Sequence, residues 1–532
     1  RLLAWAMRRR WVVVAASMLT LGSCVPLAGA APKGFLPKSD EARFELQVRM
    51  PEGTSLDATV IAGERIARQV RGLDGVAGTV LTVGSGYDRK ANVASIYVAL
   101  VDPELRRESQ EELMAVARRE IADQQPEGVR VRVFEVALFG GDAAWSAPVA
   151  YVVTGSDLDQ LGKSADAAAE LLRKVPGAVD VDTSLVVGKP EVHVRVDRER
   201  AADLGVDVAD VAATLRLVVG GAAVSTYVEK GETYDVHVRA SGDQRKDVEG
   251  LSLLTVPSAT RGAVRLLDVV RVTEDAGPSQ IERMNRKRQV LLTANVAPGV
   301  SQGQVQEAFE KGLPTLGLPA GYAVAATGNS REMGRTARAF RIAFGLSFVF
   351  MYLILAAQFE SWLHPITILL SLPLTVPFAL VSILLFRQAL DIYSSLGILV
   401  LFGVVKKNAI LQIDHTLQLR RAGVPRLEAI LQANKDRLRP ILMTTIALVA
   451  GMVPLVTSSG IGAGYNRATA GVIVGGQTLS LVLTLLVTPV AYSLFDDLVA
   501  WRDARRARRG APEDRGEGEV DDLAEAVAAA AE

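Results

Sequence analysis

The feature that most constrains this chain is the uneven placement of its apolar residues. Hydrophobic residues make up 49% of the 532. They gather into six runs, about 11–30, 339–357, 365–386, 393–413, 441–459 and 472–495, and a helix of roughly 20 apolar residues crosses a bilayer. Between the first and second runs lies a mostly polar stretch, 31–338. One span, one large polar region and then five spans predict a polytopic α-helical membrane protein with a folded domain outside the bilayer. The middle four runs contain Pro or Gly, as in "LLSLPLTVPFALV" and "LVAGMVPLV". Packed membrane helices tolerate these residues where neighbours satisfy the freed backbone groups.

Lys and Arg near span ends stay on the cytoplasmic side. Arg8, Arg9 and Arg10 precede the first run; Arg420, Arg421, Arg426, Lys435, Arg437 and Arg439 lie between the fourth and fifth; Arg502, Arg505, Arg506, Arg508 and Arg509 follow the sixth. The opposite loops, "RQALDIY" and "SSGIGAGYNRAT", hold only Arg387 and Arg467. The polar region is therefore expected outside the cytoplasm and both chain ends inside. The first run has a competing reading, because "LGSC" at 21–24 resembles a lipoprotein signal with Cys24 as the lipidated residue, and "AGAAP" a secretory cleavage site. The run continues past Cys24 to Ala31, a full span's length, which favours an uncleaved helix. Arg1 stands directly before it without a methionine, so the chain is expected to be part of a longer one.

Zero formal net charge, with basic residues scattered among acids, gives no ground for nucleic-acid binding. A single cysteine allows neither a disulfide framework nor a cysteine metal site. Within the polar region, "ARFELQVRM" alternates like a strand, "SLDATVIAGERIARQVRGL" has helical spacing, and "VAGTVLTV" and "NVASIYVAL" read as strands. The helical "RRESQEELMAVARREIADQ" and the strand "GVRVRVFEV" complete a β-α-β-β-α-β order, that of the ferredoxin-like fold. A second such unit starts with "APVAYVVTG", helix 157–175 and "AVDVDTSL", and resumes with "RQVLLTANVAPG", "SQGQVQEAFEKGL" and "GYAVAATG". The strand-rich segment 188–277 is inserted between its halves. No G-x-S-x-G, H-E-x-x-H or P-loop occurs, and His193 and His237 sit in alternating strand patterns as surface residues. "VGSGYD" at 83–88 precedes a strand rather than a helix and reads as a turn. Enzyme activity has no support, and no cofactor is expected.

"GVVKKNAILQID", 403–414, interrupts the fourth run with Lys406, Lys407 and Asn408. Both lysines lie about 20 Å from the outer face at ~1.5 Å per residue. A charge at the bilayer centre costs at least ~2.5 kcal/mol and marks a relay or pathway, unless the side chain reaches the headgroups. Adjacent helical residues point about 100° apart, so at most one of the two aims squarely at the bundle axis. That role is assigned to Lys407, with Lys406 peripheral. A buried lysine needs a carboxylate, yet the other spans hold no acid in their cores. The partner is expected on a segment outside this sequence.

Four stretches in order, "GFLPKSDEARFELQVRMPEGTSLDAT", "QFESWLHPITILLSLPLTVPFALV", "GVVKKNAILQID" and "RLRPILMTTIALVAGMVPLV", closely resemble the carboxy-terminal half of resistance-nodulation-division efflux transporters of the hydrophobe/amphiphile subfamily. The resemblance covers the chain to about residue 497. It implies a Gram-negative inner-membrane pump of twelve spans per protomer, a homotrimer working with a periplasmic adaptor and an outer-membrane channel on small-molecule substrates. The chain would then divide into a seventh span (1–31), the porter subdomain PC1 (32–140), PC2 (141–187 with 278–335), half of a docking domain (188–277), five spans (336–497) and a mostly disordered cytoplasmic tail (498–532). Lys407 matches the lysine that pairs with two aspartates of the absent amino-terminal half; Thr444 and Arg437 match polar residues of the same proton relay. Asn408 matches the residue after that lysine, as a hydrogen-bonding or a packing residue. "VGSGYD" falls at the substrate-gating loop, with Gly84, Gly86 and Tyr87 as contacts, but without the phenylalanines of the best-studied drug pumps. Metal-exporting relatives would show an acid at position 407 and converging methionines, whereas Met50, Met114, Met284 and Met333 are widely spaced. Lipid export, and a truncated half that serves as a scaffold without pumping, are less favoured functions for a chain of this pattern.

Overall fold

The computed structural model describes residues 2–84, 89–136, 147–185, 187–242, 248–278 and 280–510. After a first apolar helix, α1 (Arg10–Ala30), the polar region opens with β1 (Arg43–Arg49), α2 (Leu56–Arg71), β2 (Val76–Val83), β3 (Val93–Leu100), α3 (Gln110–Ala117) and β4 (Arg130–Phe134). Alternation places Phe44, Leu46 and Val48 of β1 and Ala94, Ile96 and Val98 of β3 on one face, all fully buried against Ile66, Ala67 and Val70 of α2. Ser55 caps α2, and Ser109 with Glu112 forms a capping box on α3. The sheet is antiparallel in the order β2-β3-β1-β4.

The second unit has the same plan despite its interruption. It comprises β5 (Val149–Gly155), α4 (Leu158–Arg173), β6 (Ala178–Thr183), then, after the insertion, β7 (Lys287–Val296), α5 (Gln302–Gly312) and β8 (Ala323–Ala326). β7 pairs with both β5 and β6, and β5 with β8, all antiparallel. The order β6-β7-β5-β8 is therefore that of the first sheet. The insertion enters and leaves through the paired strands Val187–Val196 and Val270–Pro278. It has its own core around Val206, Val211, Val256 and Leu266, and it projects an exposed two-stranded ribbon, Ala222–Glu229 with Glu232–Val238.

Charged residues join the two units. Asp182 of β6 takes Arg130 (3.2 Å) and Arg132 (3.4 Å) of β4, while Arg118 meets Asp180 at 2.8 Å. Burial pulls the Arg132 guanidinium below its ordinary pKa, against the opposing pull of Asp182.

The remaining helices are α6 (Gly328–Phe359), α7 (His364–Leu369), α8 (Thr375–Leu385), α9 (Ile392–Arg421), α10 (Arg426–Val456) and α11 (Ala463–Gly510). The run 365–386, expected to form one span, breaks into α7 and α8. Pro373 has no N–H to donate and its ring crowds the carbonyl four residues back, which ends the helix within the turn that follows α7. Among the described residues, five helices are long and apolar enough to cross a membrane: α1, α6, α9, α10 and α11. α11 also runs to Gly510, so the first residues of the expected disordered tail are helical. The bundle is lopsided. In their most apolar stretches α9 and α11 are 56% buried within the chain, α10 only 11% and α6 only 6%.

Candidate functional site

α9 begins where Asp391 and Ser394 form a reciprocal capping box: Ser394 N–H donates to Asp391 Oδ1 (2.8 Å) and Ser394 Oγ receives Asp391 N–H (2.7 Å). Its rotation is set by close packing on α11. A Cβ on Gly397 would lie 2.9 Å from Thr469 O, and one on Gly476 would collide with Leu401. Small residues of this kind let membrane helices approach closely.

This packing places the two lysines in the reverse of the expected arrangement. Lys406 is 8% exposed and shares a stripe with buried Phe402, Ala409 and Ile413, where the Phe402 ring lies 5.4 Å from that of Phe344 on α6. Lys407 is exposed, on a stripe with Leu396, Val400 and Gly403. The Gly397–Thr469 and Leu401–Gly476 contacts turn the other side of the helix inward, so the axis of this bundle is not where Lys407 points. Neither lysine has an ion pair or hydrogen bond among the described residues.

The other expected relay residues lie on α10. His415 Nε2 sits 3.2 Å from Asp436 Oδ2, which fixes the antiparallel register of α9 against α10. Lys407 lies eight residues before His415 and Thr444 eight after Asp436; at ~1.5 Å per residue both stand about 12 Å from that contact. Lys407 and Thr444 therefore share one depth. Thr444 is half-buried, its Oγ donating to Ile441 O at 3.1 Å. Arg437 stands near Asp414 in depth, and its buried Nε has no acceptor among the described residues. Asn408 is 4% exposed and faces the closed side of α9. Of the residues expected at a gating loop, Gly84 follows β2 with φ +69, its N–H donating to Val93 O at 3.0 Å. Gly86 and Tyr87 lie outside the described residues.

Two further features escape a reading of the linear sequence. At the arginine-rich end of the bundle, Arg420 meets Asp496 (2.7 Å) and Tyr492 OH (2.9 Å), Arg426 meets Asp496 (3.1 Å) and Asp497, and Arg10 meets Asp497 (2.6 Å). At the opposite end, residues 32–40 strap the polar region to the bundle. Leu390 N–H donates to Pro32 O (2.7 Å) and Gly34 N–H to Leu390 O (3.2 Å); Gly303 N–H of α5 donates to Lys33 O (2.9 Å), and Gln110 N–H of α3 to Asp40 Oδ2 (2.9 Å). Ile392 N–H, in the first turn of α9, donates to Phe35 O (3.4 Å), so the start of that helix is hydrogen-bonded to a segment that both α/β units hold. Only the run of Asp, Lys and Glu around 38–41 hints at this in sequence.

A lysine-bearing helix at the centre of an apolar bundle, tied by one strap to twin β-α-β-β-α-β units outside it, defines a polytopic membrane protein with a duplicated polar domain. The AcrB/AcrD/AcrF family profile matches residues 1–496, and the chain belongs to that family. It is 29% identical over 490 residues to multidrug resistance protein MdtC of Erwinia amylovora, a match covering 92% of this chain and 47% of MdtC. It is also similar to two crystal forms of a heavy metal efflux pump. The first has a TM-score of 0.81 at 26% identity, covering 92% of this chain and 52% of that one. The second has a TM-score of 0.78 at 25% identity, covering 91% and 50%. The chain spans about half the length of these relatives.

Proposed function

We propose that this chain is the carboxy-terminal half of an inner-membrane pump that uses the proton-motive force to export hydrophobic or amphiphilic compounds. The observation that carries this reading is Lys407, an ammonium at mid-span on the uncovered face of α9, at the depth of Thr444. A charge there needs a carboxylate, and the exposed face leaves room for one on a second set of helices. Protonation of such a carboxylate weakens its pairing with Lys407. The resulting shift of α9 passes through the 390–392 strap contacts to both α/β units.

In this reading α7 and α8 together make the sixth crossing, the arginine-rich end is cytoplasmic, and the α/β units are periplasmic porter subdomains of ferredoxin-like fold. The insertion docks toward an outer-membrane channel, with its exposed ribbon covered in a homotrimer, and a periplasmic adaptor completes the assembly. The test is Lys407→Ala in the full transporter: export of a fluorescent amphiphile is lost while membrane insertion persists. Unchanged export sinks the relay.

The similarity to a heavy metal efflux pump favours a second reading, metal-ion export. Against it stand Lys407 and the places of two methionines, Met114 buried in the core of the first unit and Met50 packed on that core. Metal-dependent transport in proteoliposomes, without transport of the amphiphile, would establish it.

A further inference from the structure

The closed side of α9 carries a polar stripe that the lysine relay does not use. Asn408, Gln412 and Thr416 recur every four residues and are 4, 2 and 3% exposed. α11 carries a matching stripe, Gln477, Ser480, Thr484 and Thr488, at 2, 1, 3 and 1%. Arg420 on Tyr492, together with Leu401 on Gly476, sets the register. It brings Asn408, Gln412 and Thr416 to about the depths of Ser480, Thr484 and Thr488, by the common helical rise. One further step along each helix reaches Arg420 and Tyr492 themselves, which are hydrogen-bonded at the arginine-rich end.

Polar residues that merely glue membrane helices together bond one another across the interface. These do not. The threonines are satisfied within their own helices, Thr416 on Gln412 O, Thr484 on Leu481 O and Thr488 on Thr484 O. Gln477 donates to Thr445 Oγ1 of α10 at 3.4 Å. Gln412 Nε2, Gln412 Oε1, Gln477 Oε1 and Ser480 Oγ are buried without partners among the described residues. Each such atom is costly to bury unless something hydrogen-bonds it, and four in one seam bring a spanning helix no stability of their own. Their spacing suits a ligand that both donates and accepts at every step.

We propose that the α9–α11 seam takes up water and serves as the proton-release path, running on the closed side of α9 from the depth of Lys407 to the Arg420–Tyr492–Asp496 cluster. A proton enters as hydronium at the level of Asn408 and passes from water to water. It leaves at the cluster, while the neutral amides and hydroxyls orient each water and keep their own protons. No charged side chain lies on either stripe between Asn408 and Arg420. Water therefore carries the charge, which a fixed ion in the seam would trap. This inference rests on the proton-coupled reading above.

Two experiments on the full transporter in membranes test it. The first is X-ray hydroxyl-radical footprinting, in which radicals form from water in place, on Ser480→Cys and on Ser382→Cys as control. Ser382 is equally buried, but its Oγ donates to Gly471 O at 2.6 Å. The expected result is several-fold more oxidation at position 480 than at 382; equal protection of the two overturns the proposal, whatever the protein transports. The second is Gln412→Leu and Ser480→Leu in proton-driven export. Each should cut the proton flux several-fold, with fluorescent-amphiphile binding unchanged and the solvent deuterium isotope effect altered. Wild-type flux in both variants overturns the seam. Absence of proton-coupled export by the wild type itself overturns the functional reading instead.

Discussion

The two sides of α9 obey different rules. The closed side packs Gly397 and Leu401 onto α11 at distances that leave no room for a methyl group, and its polar residues Asn408, Gln412 and Thr416 are only 2–4% exposed. The open side shows Leu396 at 44%, Val400 at 43%, a glycine with nothing near it and Lys407. The same contrast holds between helices: in its most apolar stretch α11 is 56% buried within the chain, α10 only 11% and α6 only 6%. A charge among exposed apolar side chains suits neither lipid nor water. In the proposed function, the open side of α9 is the face that meets the carboxylate-bearing helices.

The largest expected effect is that of Lys407→Ala. Export should fall to background, while the amount of protein in the membrane should hold or rise, since the lysine opposes insertion by ~2.5–3.5 kcal/mol. Quantitative blotting of membranes beside a dye-efflux assay measures both; a drop in membrane-inserted protein would make Lys407 a structural residue of this chain. Next come paired glycine substitutions, one on each side. Gly476→Val drives a side chain into Leu401 and should cost about 1–3 kcal/mol or more by overpacking. A Cβ on Gly403 meets nothing within 4 Å among the described residues. Thermal unfolding in detergent should show Gly476→Val destabilised both in this chain alone and in the full transporter. Gly403→Val should be destabilised only in the full transporter. Equal behaviour in both settings would mean that the open side faces lipid.

Much of this contrast is absent from the linear pattern, for physical reasons. Period-2 alternation makes β1 and β3 legible because one face of each is wholly buried, and serine caps mark α2 and α3. The start of α9 is legible too, since Asp391 and Ser394 stand at capping-box spacing. Which lysine turns inward depends on helix rotation, and rotation is set by two glycine contacts between residues 75 or so positions apart. The break after α7 is written in Pro373, but hydropathy averages over a proline and so reports one span. The ion cluster joins residues 10, 420, 426, 496 and 497, and no local pattern connects such positions. The second unit reads as two halves in sequence, and only strand pairing shows that its sheet has the order of the first.

A smaller effect is expected at the helix start. Asp391→Ala removes an acceptor from the N-terminus of α9 and should lower stability by about 1 kcal/mol. It should also loosen the 390–392 strap contacts, so hydrogen exchange at the amides of Leu390 and Ile392 should quicken while that of the α2 amides does not. Uniform quickening would place the effect in global stability instead of the strap.

The smallest effect, and the finest test of the two-sided picture, is Lys406→Met. Lys406 is buried without an ion pair among the described residues and lies on a stripe of Phe402, Ala409 and Ile413. Its stem already packs among apolar side chains, and methionine of similar length fills the same space without a charge to desolvate. Thermal stability in detergent should therefore rise slightly, and export should persist at the wild-type level. If Lys406→Met instead stops export as Lys407→Ala does, the two lysines work as one unit and the closed side of α9 belongs to the relay. Loss at Lys407 alone keeps the ammonium that matters on the open side, where a carboxylate from outside this chain can reach it.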